Sequence, residues 1–224
     1  MLLLSVSLVL RISAPLVVRI FPKTTLDYSQ ILQFRLTYFQ QTETMALKST
    51  IYKFAIDLSN INENHYSSFD LTLAKHPSET VERMIVRLLA YCLNAQKKPE
   101  FTRGLSSTDE PDIWCKSLDG QIDLWVEVGE PVFDRIKKAA QLSRAVAVFC
   151  FNRKSDVWWR QGKRDFLGLN AQFYRFNNDE IVALALKTTR REQISISIDS
   201  GLIYVASSAG NTEITLEQLD AESF

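Results

Sequence analysis

Residues 110–129 contain two short apolar segments on either side of Asp119-Gly120, and they constrain the fold more than any other part of the sequence. Asp-Gly is typical of a two-residue type I′ turn, because both central residues of that turn need a positive φ. A turn at 119–120 sets 118 opposite 121, 116 opposite 123 and 114 opposite 125. The sequence therefore predicts a β-hairpin in which Asp112 lies opposite Glu127.

Alternation along the two predicted strands separates a polar face from an apolar one. Asp112 and Glu127 share the polar face, with Cβ atoms expected about 5 Å apart. Two carboxylates so close repel each other unless a cation lies beside them, and a divalent cation is the candidate. A longer loop or a bulge would place Glu110 opposite Glu127 instead. The other face is predicted core and carries Ile113, Cys115, Ile122, Leu124, Val126 and Val128.

The composition is that of a globular protein with no global charge. The 224 residues include 26 basic and 26 acidic side chains, which argues against a nucleic-acid coat protein but allows a local basic surface. The three cysteines, Cys92, Cys115 and Cys150, lie in apolar segments, which predicts reduced core thiols in a cytoplasmic protein. His65 and His76 have no Cys or His at zinc-ligand spacing, so no zinc site is predicted.

The N-terminal segment differs from the remainder of the chain. Its apolar stretches are shorter than the roughly 20 residues that span a bilayer. It also lacks the basic start of a signal peptide. We predict that residues 1–44 are an extension upstream of a natural start at Met45, poorly ordered or never translated, and that 45–224 form one domain without a membrane span. A weakly packed pair of strands or a peripheral anchor is the alternative for 1–44.

From residue 45 onward, strand and helix patterns alternate. Alternating residues predict a hairpin over 49–58 and 66–74, and an apolar stripe at helical spacing predicts a helix that begins at Pro77. The further predicted elements are a helix from Phe133, a buried strand over 144–151, a helix over 154–167, a strand over 171–176, a helix over 179–189, a hairpin over 193–207 and an edge strand over 213–219. This order predicts an α/β fold with a mixed central sheet, flanking helices and extra β-hairpins at both ends.

Acidic residues on the first helix extend the predicted carboxylate site. Glu79 and Glu82 could join Asp112 and Glu127 as oxygen ligands of Mg²⁺ or Mn²⁺, with Glu110 as the alternative strand ligand. Such an ion can activate water and stabilise the charge of a phosphodiester during hydrolysis. The other interpretation of Glu79, Arg83 and Arg87, spaced at i, i+4, is a row of ion pairs exposed to solvent.

Two resemblances follow from these motifs. Pro111-Asp112, followed after fourteen residues by Glu127-Val128-Gly129, resembles the PD-(D/E)XK motif of restriction-endonuclease-like proteins, whose core has the same order of helices and strands. More extensively, the chain resembles the bacterial YaeQ family from Met45 nearly to its C-terminus. The segments that carry this resemblance include His76-Pro77-Ser78-Glu79-Thr80, Val86-Arg87-Leu88-Leu89, Arg103-Gly104-Leu105-Ser106, Ile122-Asp123-Leu124-Trp125 and Val126-Glu127-Val128-Gly129. The resemblance implies a restriction-endonuclease-like fold; the family has no settled activity and is loosely associated with transcription elongation.

The sequence departs from the nuclease motif at its lysine. Gly129 stands two residues after the second acid, where the lysine is expected. Lys116 lies four residues from the first acid, about 13 Å at normal strand rise, which is too far to serve the same metal. Lys137 or Lys138 on the following helix could replace the motif lysine, or Lys138 could pair with Asp134 on a solvent face.

Two functions of different classes remain open. The first is a Mg²⁺- or Mn²⁺-dependent phosphodiesterase or nuclease, with Asp112 and Glu127 as catalytic ligands and Lys137 or Lys138 near the attacking water. The second is a non-catalytic nucleic-acid- or protein-binding module in which the acids are structural and basic residues contact DNA or RNA. The basic residues in question are Arg83, Arg87, Arg135, Lys137, Arg153, Lys154, Arg160, Lys163 and Arg164.

Overall fold

The computed structural model describes residues 48–107 and 109–223, so the predicted extension over 1–44 lies outside the described part of the chain. The described strands are β1 (Thr50–Asn60), β2 (His65–Lys75), β3 (Glu100–Phe101), β4 (Ile113–Lys116), β5 (Ile122–Val128), β6 (Val146–Cys150), β7 (Ala171–Phe176), β8 (Arg191–Asp199), β9 (Leu202–Ser207) and β10 (Gly210–Leu219). The helices are α1 (Val81–Leu93), α2 (Phe133–Leu142), α3 (Ser155–Phe166) and α4 (Asn178–Lys187). Short 3₁₀ turns occur at Ala95–Lys97 and Gly104–Ser106.

All described strands belong to one mixed sheet in the order β2-β1-β8-β9-β10-β7-β6-β5-β4-β3. β1 pairs with β8 in parallel, and β5, β6 and β7 form a parallel set. The first part of β10 pairs with β9 and its last part with β7. The prediction of an edge strand over 213–219 was therefore wrong, because this strand joins the two halves of the sheet.

The sheet is covered on both faces where the parallel strands lie. In β5, Leu124, Val126 and Val128 point toward a core that includes α1 and α4. Trp125 points to the opposite face, into a second cluster that includes α2 and α3. Alternation thus sends Leu124, Val126 and Val128 to one core and Trp125 to the other. Ile122, predicted on the same face as Leu124, packs instead against the second cluster, next to the bulge of the hairpin. All three cysteines are buried and free, as predicted.

The central hairpin of β4 and β5 has the predicted register at its middle but a different turn. Trp114 lies opposite Trp125, as predicted, whereas a bulge sets Lys116 opposite Ile122 instead of Asp123. Of Asp119 and Gly120, only the glycine has a positive φ, +83°, so the turn is not type I′. The loop is longer, because the Ser117 amide bonds to the Gln121 carbonyl at 2.9 Å and the Gly120 amide to the Ser117 carbonyl at 3.0 Å.

Helix α1 begins later than the sequence predicted. Thr80 caps it, with the side-chain oxygen accepting a 3.2 Å hydrogen bond from the Arg83 amide, so Pro77 lies in the preceding turn and not at the first helical position. The late start leaves Glu79 before the helix, where its carboxylate can reach residues of other elements.

No helix within 48–107 or 109–223 is both long and apolar enough to cross a bilayer.

Candidate functional site

A cleft of about 420 Å³ lies at the carboxyl end of β5 and is named here the β5 cleft. Its charged lining residues are Arg83, Asp112, Glu127, Glu130 and Arg135. Asp112 precedes β4 and is 3 % exposed. One of its carboxylate oxygens, Oδ2, accepts a 2.8 Å hydrogen bond from the Val128 amide, so the backbone of β5 fixes its orientation. The hairpin thus brings Asp112 and Glu127 to one cleft.

Arg83 of α1 binds the Asp112 carboxylate directly. Its Nη2 atom lies 2.7 Å from Oδ1 and 2.8 Å from Oδ2 of Asp112, and 3.2 Å from the carbonyl oxygen of Val128. Burial lowers the pKa of Arg83, but the charges and hydrogen bonds of Asp112 and Glu79 outweigh it and raise that pKa above its ordinary value. Three oxygen atoms therefore converge on one permanently cationic nitrogen.

Glu79 extends this ion pair into a buried cluster. Its Oε1 atom lies 3.0 Å from Arg83 Nη1 and 3.4 Å from Arg87 Nη1, and its Oε2 accepts from the His76 amide at 3.2 Å. Glu79 and Arg87 are buried, so the interpretation of this row as ion pairs exposed to solvent was wrong. Burial lowers the pKa of Arg87, although the charge of Glu79 opposes this. We call Glu79, Arg83, Arg87 and Asp112 the arginine–carboxylate cluster.

Gly104 lets the loop after β3 approach this cluster. A Cβ atom at this position would lie 3.4 Å from both Arg87 Nη1 and Asp112 Oδ1, and the residue has a φ of +52°. A Cβ atom would thus make close contact with two charged groups. The positive φ, which residues with a side chain rarely adopt, is the main reason for a glycine in the Arg103-Gly104-Leu105-Ser106 segment.

Glu127 is the second buried carboxylate of the cleft and has separate partners. Its Oε1 atom accepts a 2.7 Å hydrogen bond from Trp125 Nε1 and lies 2.9 Å from Arg135 Nε on α2. Burial raises the pKa of Glu127, and the hydrogen bonds from Trp125 and Arg135 only partly offset this. The nearby charge of Asp112 raises it further.

The lysines predicted as substitutes for the motif lysine do not line the cleft. Lys138 Nζ lies 2.7 Å from Asp109 Oδ1 on the surface, and this pair replaces the expected one with Asp134. Lys137 Nζ lies 5.9 Å from the ring centroid of Phe133. The cation beside Glu127 is instead Arg135, which the sequence had assigned to nucleic-acid contact.

The other predicted ligands are likewise outside the cleft lining. Glu82 on α1 does not line it. The side chain of Glu110 accepts a hydrogen bond from the Arg103 amide at 3.3 Å, while its carbonyl accepts one from Arg135 Nη2 at 2.8 Å. Within 48–107 and 109–223, no group of three or more His, Cys, Asp or Glu side chains could hold a metal ion. Of the predicted ligands, Asp112 and Glu127 are thus the two that line the cleft, together with Val128.

Two of these relationships were not predicted from the sequence. Arg83 reaches Asp112 from 29 positions away, and Trp125 serves Glu127 as a hydrogen-bond donor. The second had a signal, because residues two apart on a strand share a face and an indole N–H pairs well with a carboxylate. The first had none in the local pattern.

The fold and the site define an α/β protein with a large mixed sheet flanked by helices. A buried arginine–carboxylate cluster lies at the carboxyl end of its strand β5. The chain belongs to the YaeQ family, since the family model described as YaeQ protein matches residues 45–216. It is 36 % identical over 174 residues to "Uncharacterized protein YaeQ" of Escherichia coli strain K12, a match that covers 77 % of this chain and 96 % of that protein. The protein of the same name from Salmonella typhi is 38 % identical over 174 residues, with the same coverage.

Two crystal structures of family members have the same fold. The YaeQ protein of Xanthomonas axonopodis pv. citri matches with a TM-score of 0.74 and 31 % identity, covering 77 % of this chain and 99 % of that one. The YaeQ protein of Pseudomonas syringae matches with a TM-score of 0.73 and 34 % identity, covering 79 % and 98 % respectively. The mixed α/β architecture predicted from the sequence is therefore confirmed.

Proposed function

We propose that the β5 cleft is the site of a divalent-cation-dependent phosphodiesterase that acts on nucleic acid, in a core of the restriction-endonuclease-like type. The observation that carries the proposal is the convergence of Asp112 Oδ1, Asp112 Oδ2 and the Val128 carbonyl on one cationic nitrogen, Arg83 Nη2. A hard cation is coordinated by several oxygen atoms, and these three already surround a positive charge. We therefore place the cation where the Arg83 guanidinium lies.

The charge of the cleft supports a cation over an anion. Among the described residues, its ionisable lining consists of two arginines, Arg83 and Arg135, and three acids, Asp112, Glu127 and Glu130. The acids thus outnumber the bases by one. The donor atoms are carboxylate and carbonyl oxygens, which Mg²⁺ and Mn²⁺ prefer. Binding requires Arg83 to withdraw from Asp112, and its side chain, 16 % exposed, lies at the solvent edge of the cluster.

The residues would divide the work between holding a cation and binding a phosphate. Asp112, Glu127 and the Val128 carbonyl would hold the ion, which when bound supplies a more acidic water and a Lewis acid for the phosphodiester. Arg135 lies beside Glu127 and would neutralise charge on the phosphate oxygens, the electrostatic part of the role a motif lysine would have. Arginine stays protonated, so Arg135 cannot accept a proton from water.

Calorimetric titration with Mn²⁺ tests this proposal. Wild-type protein is expected to bind Mn²⁺, and Asp112→Asn or Glu127→Gln to weaken binding at least tenfold. Asp123→Asn is the matched control, because Asp123 is an acid of the same hairpin that pairs with Arg144 on the surface. A wild type that does not bind Mn²⁺, or binding that Asp112→Asn leaves unchanged, would disprove the proposal. Wild type and Asp123→Asn should also cleave a labelled oligonucleotide, whereas Asp112→Asn and Glu127→Gln should cleave it much more slowly.

One observation favours a second function, the non-catalytic module. Arg83 already fills the cation position and bridges two buried acids, Glu79 and Asp112, while Gly129 stands in place of the motif lysine. In that case the guanidinium replaces the metal permanently, and the cluster is structural. The expected result is salt-dependent oligonucleotide binding by wild type, with no Mn²⁺ binding and no cleavage.

A further inference from the structure

A second depression adjoins the β5 cleft and is named here the α3 groove. It has a volume of about 700 Å³ and shares Glu130 and Asn152 with the cleft, so the two surfaces are continuous. Its other lining residues include Arg153, Lys154, Val157 and Trp158. The volume falls within the range of about 300–1,000 Å³ of ligand sites in proteins. A molecule bound in the cleft could therefore extend along α3 without leaving the protein.

The wall of the groove offers an aromatic ring in a fixed position. Trp158 is half-buried and donates a 3.0 Å hydrogen bond from Nε1 to the carbonyl of Pro131. Its ring packs on Phe166 with centroids 4.7 Å apart. Val157, which is 45 % exposed, adds apolar surface beside it. An aromatic ring held from behind and exposed to a groove is a stacking platform for a base of any sequence.

The charge of the groove is opposite to that of the cleft. Within the described residues, its ionisable lining consists of Arg153, Lys154 and Glu130. The Glu130 carboxylate is bound by the segment between β6 and α3, because it accepts hydrogen bonds from the Asn152 amide at 3.1 Å and the Ser155 hydroxyl at 2.6 Å. Arg153 lies 3.5 Å from Asp179, with both side chains more than four-fifths exposed, and donates from Nε to Asn178 Oδ1 at 3.3 Å, contacts at the surface that hold a cation weakly. Lys154 is exposed as well, so both cations can turn toward an anion.

We propose that the α3 groove binds the nucleotides that flank the phosphate in the β5 cleft, and that the strand it accepts is single-stranded. Trp158 stacks on a base, and Arg153 and Lys154 contact the neighbouring phosphates. A paired base has both faces covered by its neighbours, so only an unstacked strand can use the ring. The inference rests on the proposed function for its substrate class and adds the form of the nucleic acid.

Binding of a fluorescent twelve-nucleotide oligothymidylate in the presence of EDTA tests the groove separately from metal chemistry. The double variant Arg153→Glu/Lys154→Glu is expected to bind at least tenfold more weakly and to have a shallower salt dependence, since fewer counterions are released. Arg190→Glu/Arg191→Glu is the matched control, because both residues are exposed and lie beyond the other end of α4. Trp158→Phe should bind several-fold more weakly and lose part of the quenching of intrinsic tryptophan fluorescence.

The outcomes separate the groove from the proposed phosphodiesterase. Equal binding by the double variant and its control would overturn the inference, as would tight binding of a duplex with none of the single strand. Oligonucleotide binding that depends on Arg153 and Lys154, without Mn²⁺ binding or cleavage, would support the groove and defeat the phosphodiesterase. Cleavage that depends on Asp112 but is unchanged in the groove variants would support the phosphodiesterase and overturn the groove.

Discussion

The indole Nε1 of Trp125 lies 2.7 Å from Oε1 of Glu127, two residues along the same strand, and both side chains are buried. Strand alternation alone brings these two groups together, because residues i and i+2 share a face. The indole has one donor and no acceptor, so this bond satisfies it fully. Glu127 is thus held by a neighbour in its own strand as well as by Arg135 of α2.

Trp125→Phe is expected to lower the free energy of unfolding by about 1.5–3 kcal/mol, the range for hydrogen bonds to charged groups. Urea denaturation at pH 7 measures this. Trp114→Phe is the control: Trp114 is half-buried, lies opposite Trp125 and has Lys116 Nζ 3.4 Å from its ring centroid. Loss of that contact should cost less than about 1 kcal/mol. Equal losses in both variants would contradict a role for the Trp125 bond.

The raised pKa of Glu127 predicts how Glu127→Gln changes stability with pH. In the folded protein burial keeps a proton on Glu127 to higher pH than the ordinary value of 4.5. Between the two pKa values the unfolded chain binds fewer protons than the folded one, so this group's contribution to stability falls as pH rises. The variant has no such group. Its stability relative to wild type should therefore increase from about pH 4.5 upward, by about 1.4 kcal/mol for each unit of pKa difference.

Denaturation curves of wild type and Glu127→Gln at intervals from pH 4 to 8 provide the measurement. The difference between the two proteins isolates Glu127, because other titrating groups contribute to both. A difference that stays level, or that declines as pH rises, would show that the folded protein does not raise this pKa.

Arg83→Met is expected to destabilise the protein by about 3–5 kcal/mol, because it leaves Glu79 and Asp112 as buried charges with fewer partners. Arg144→Met is the matched control. Arg144 pairs with Asp123 at 2.8 Å on the surface, with the two side chains 62 % and 39 % exposed, and such pairs contribute about 0–1 kcal/mol. Chemical denaturation at pH 7 compares the two; similar losses would mean that the arginine–carboxylate cluster is not buried in solution.

Mn²⁺ should raise the Tm of Arg83→Met more than that of wild type, because the variant leaves the oxygens of Asp112 and Val128 without the guanidinium. A ligand that binds the folded state alone stabilises it by mass action, and a tenfold gain in affinity adds about 1.4 kcal/mol at saturating metal. Thermal denaturation with and without 1 mM Mn²⁺ measures the shift. An identical shift in both proteins would argue that Arg83 does not compete for the site.

Restoring the motif lysine at position 129 is expected to cost stability. Gly129 has a φ of +106°, where other residues are strained, although nothing lies within 4 Å of an added Cβ atom. Gly129→Lys and Gly129→Ala should therefore lose a similar amount, about 1–3 kcal/mol, because the strain belongs to the backbone. Urea denaturation of both variants checks this. A loss confined to the lysine variant would instead indicate charge repulsion from Arg83 or Arg135.

The sequence predicted the elements well because each carries its own periodicity. The middle of the hairpin register followed from alternation around Asp119-Gly120, and the buried strand β6 from its continuous apolar residues. The turn itself could not be read, because Ser117 bonds across it to the backbone of Gln121 and lengthens the loop. The hydrogen bonds of Ser117 thus determine that the loop is one residue longer than the predicted two-residue turn.

In the candidate site, the two acids could be predicted from the sequence but their arginine partners could not. Asp112 and Glu127 lie in one hairpin, so their proximity was encoded within the segment. Arg83 and Arg135 come from two helices, and which cation meets which acid depends on how α1 and α2 pack against the end of β5. Lys137 and Lys138 have the same charge and nearly the same position as Arg135, but they lie on exposed parts of α2. The rotation of α2 about its axis determines which of these basic residues faces Glu127, and the sequence pattern predicts that rotation only approximately.

The position of β10 has a consequence for how the chain folds during synthesis. Among the described strands, β10 alone joins β9 to β7, and it follows both of them in the sequence. Until β10 is available, β7 has an unpaired strand edge on the side that β10 covers in the folded protein. Open edges of this kind pair readily with other chains. A chain cut short before residue 210 should therefore aggregate more readily than the full-length chain.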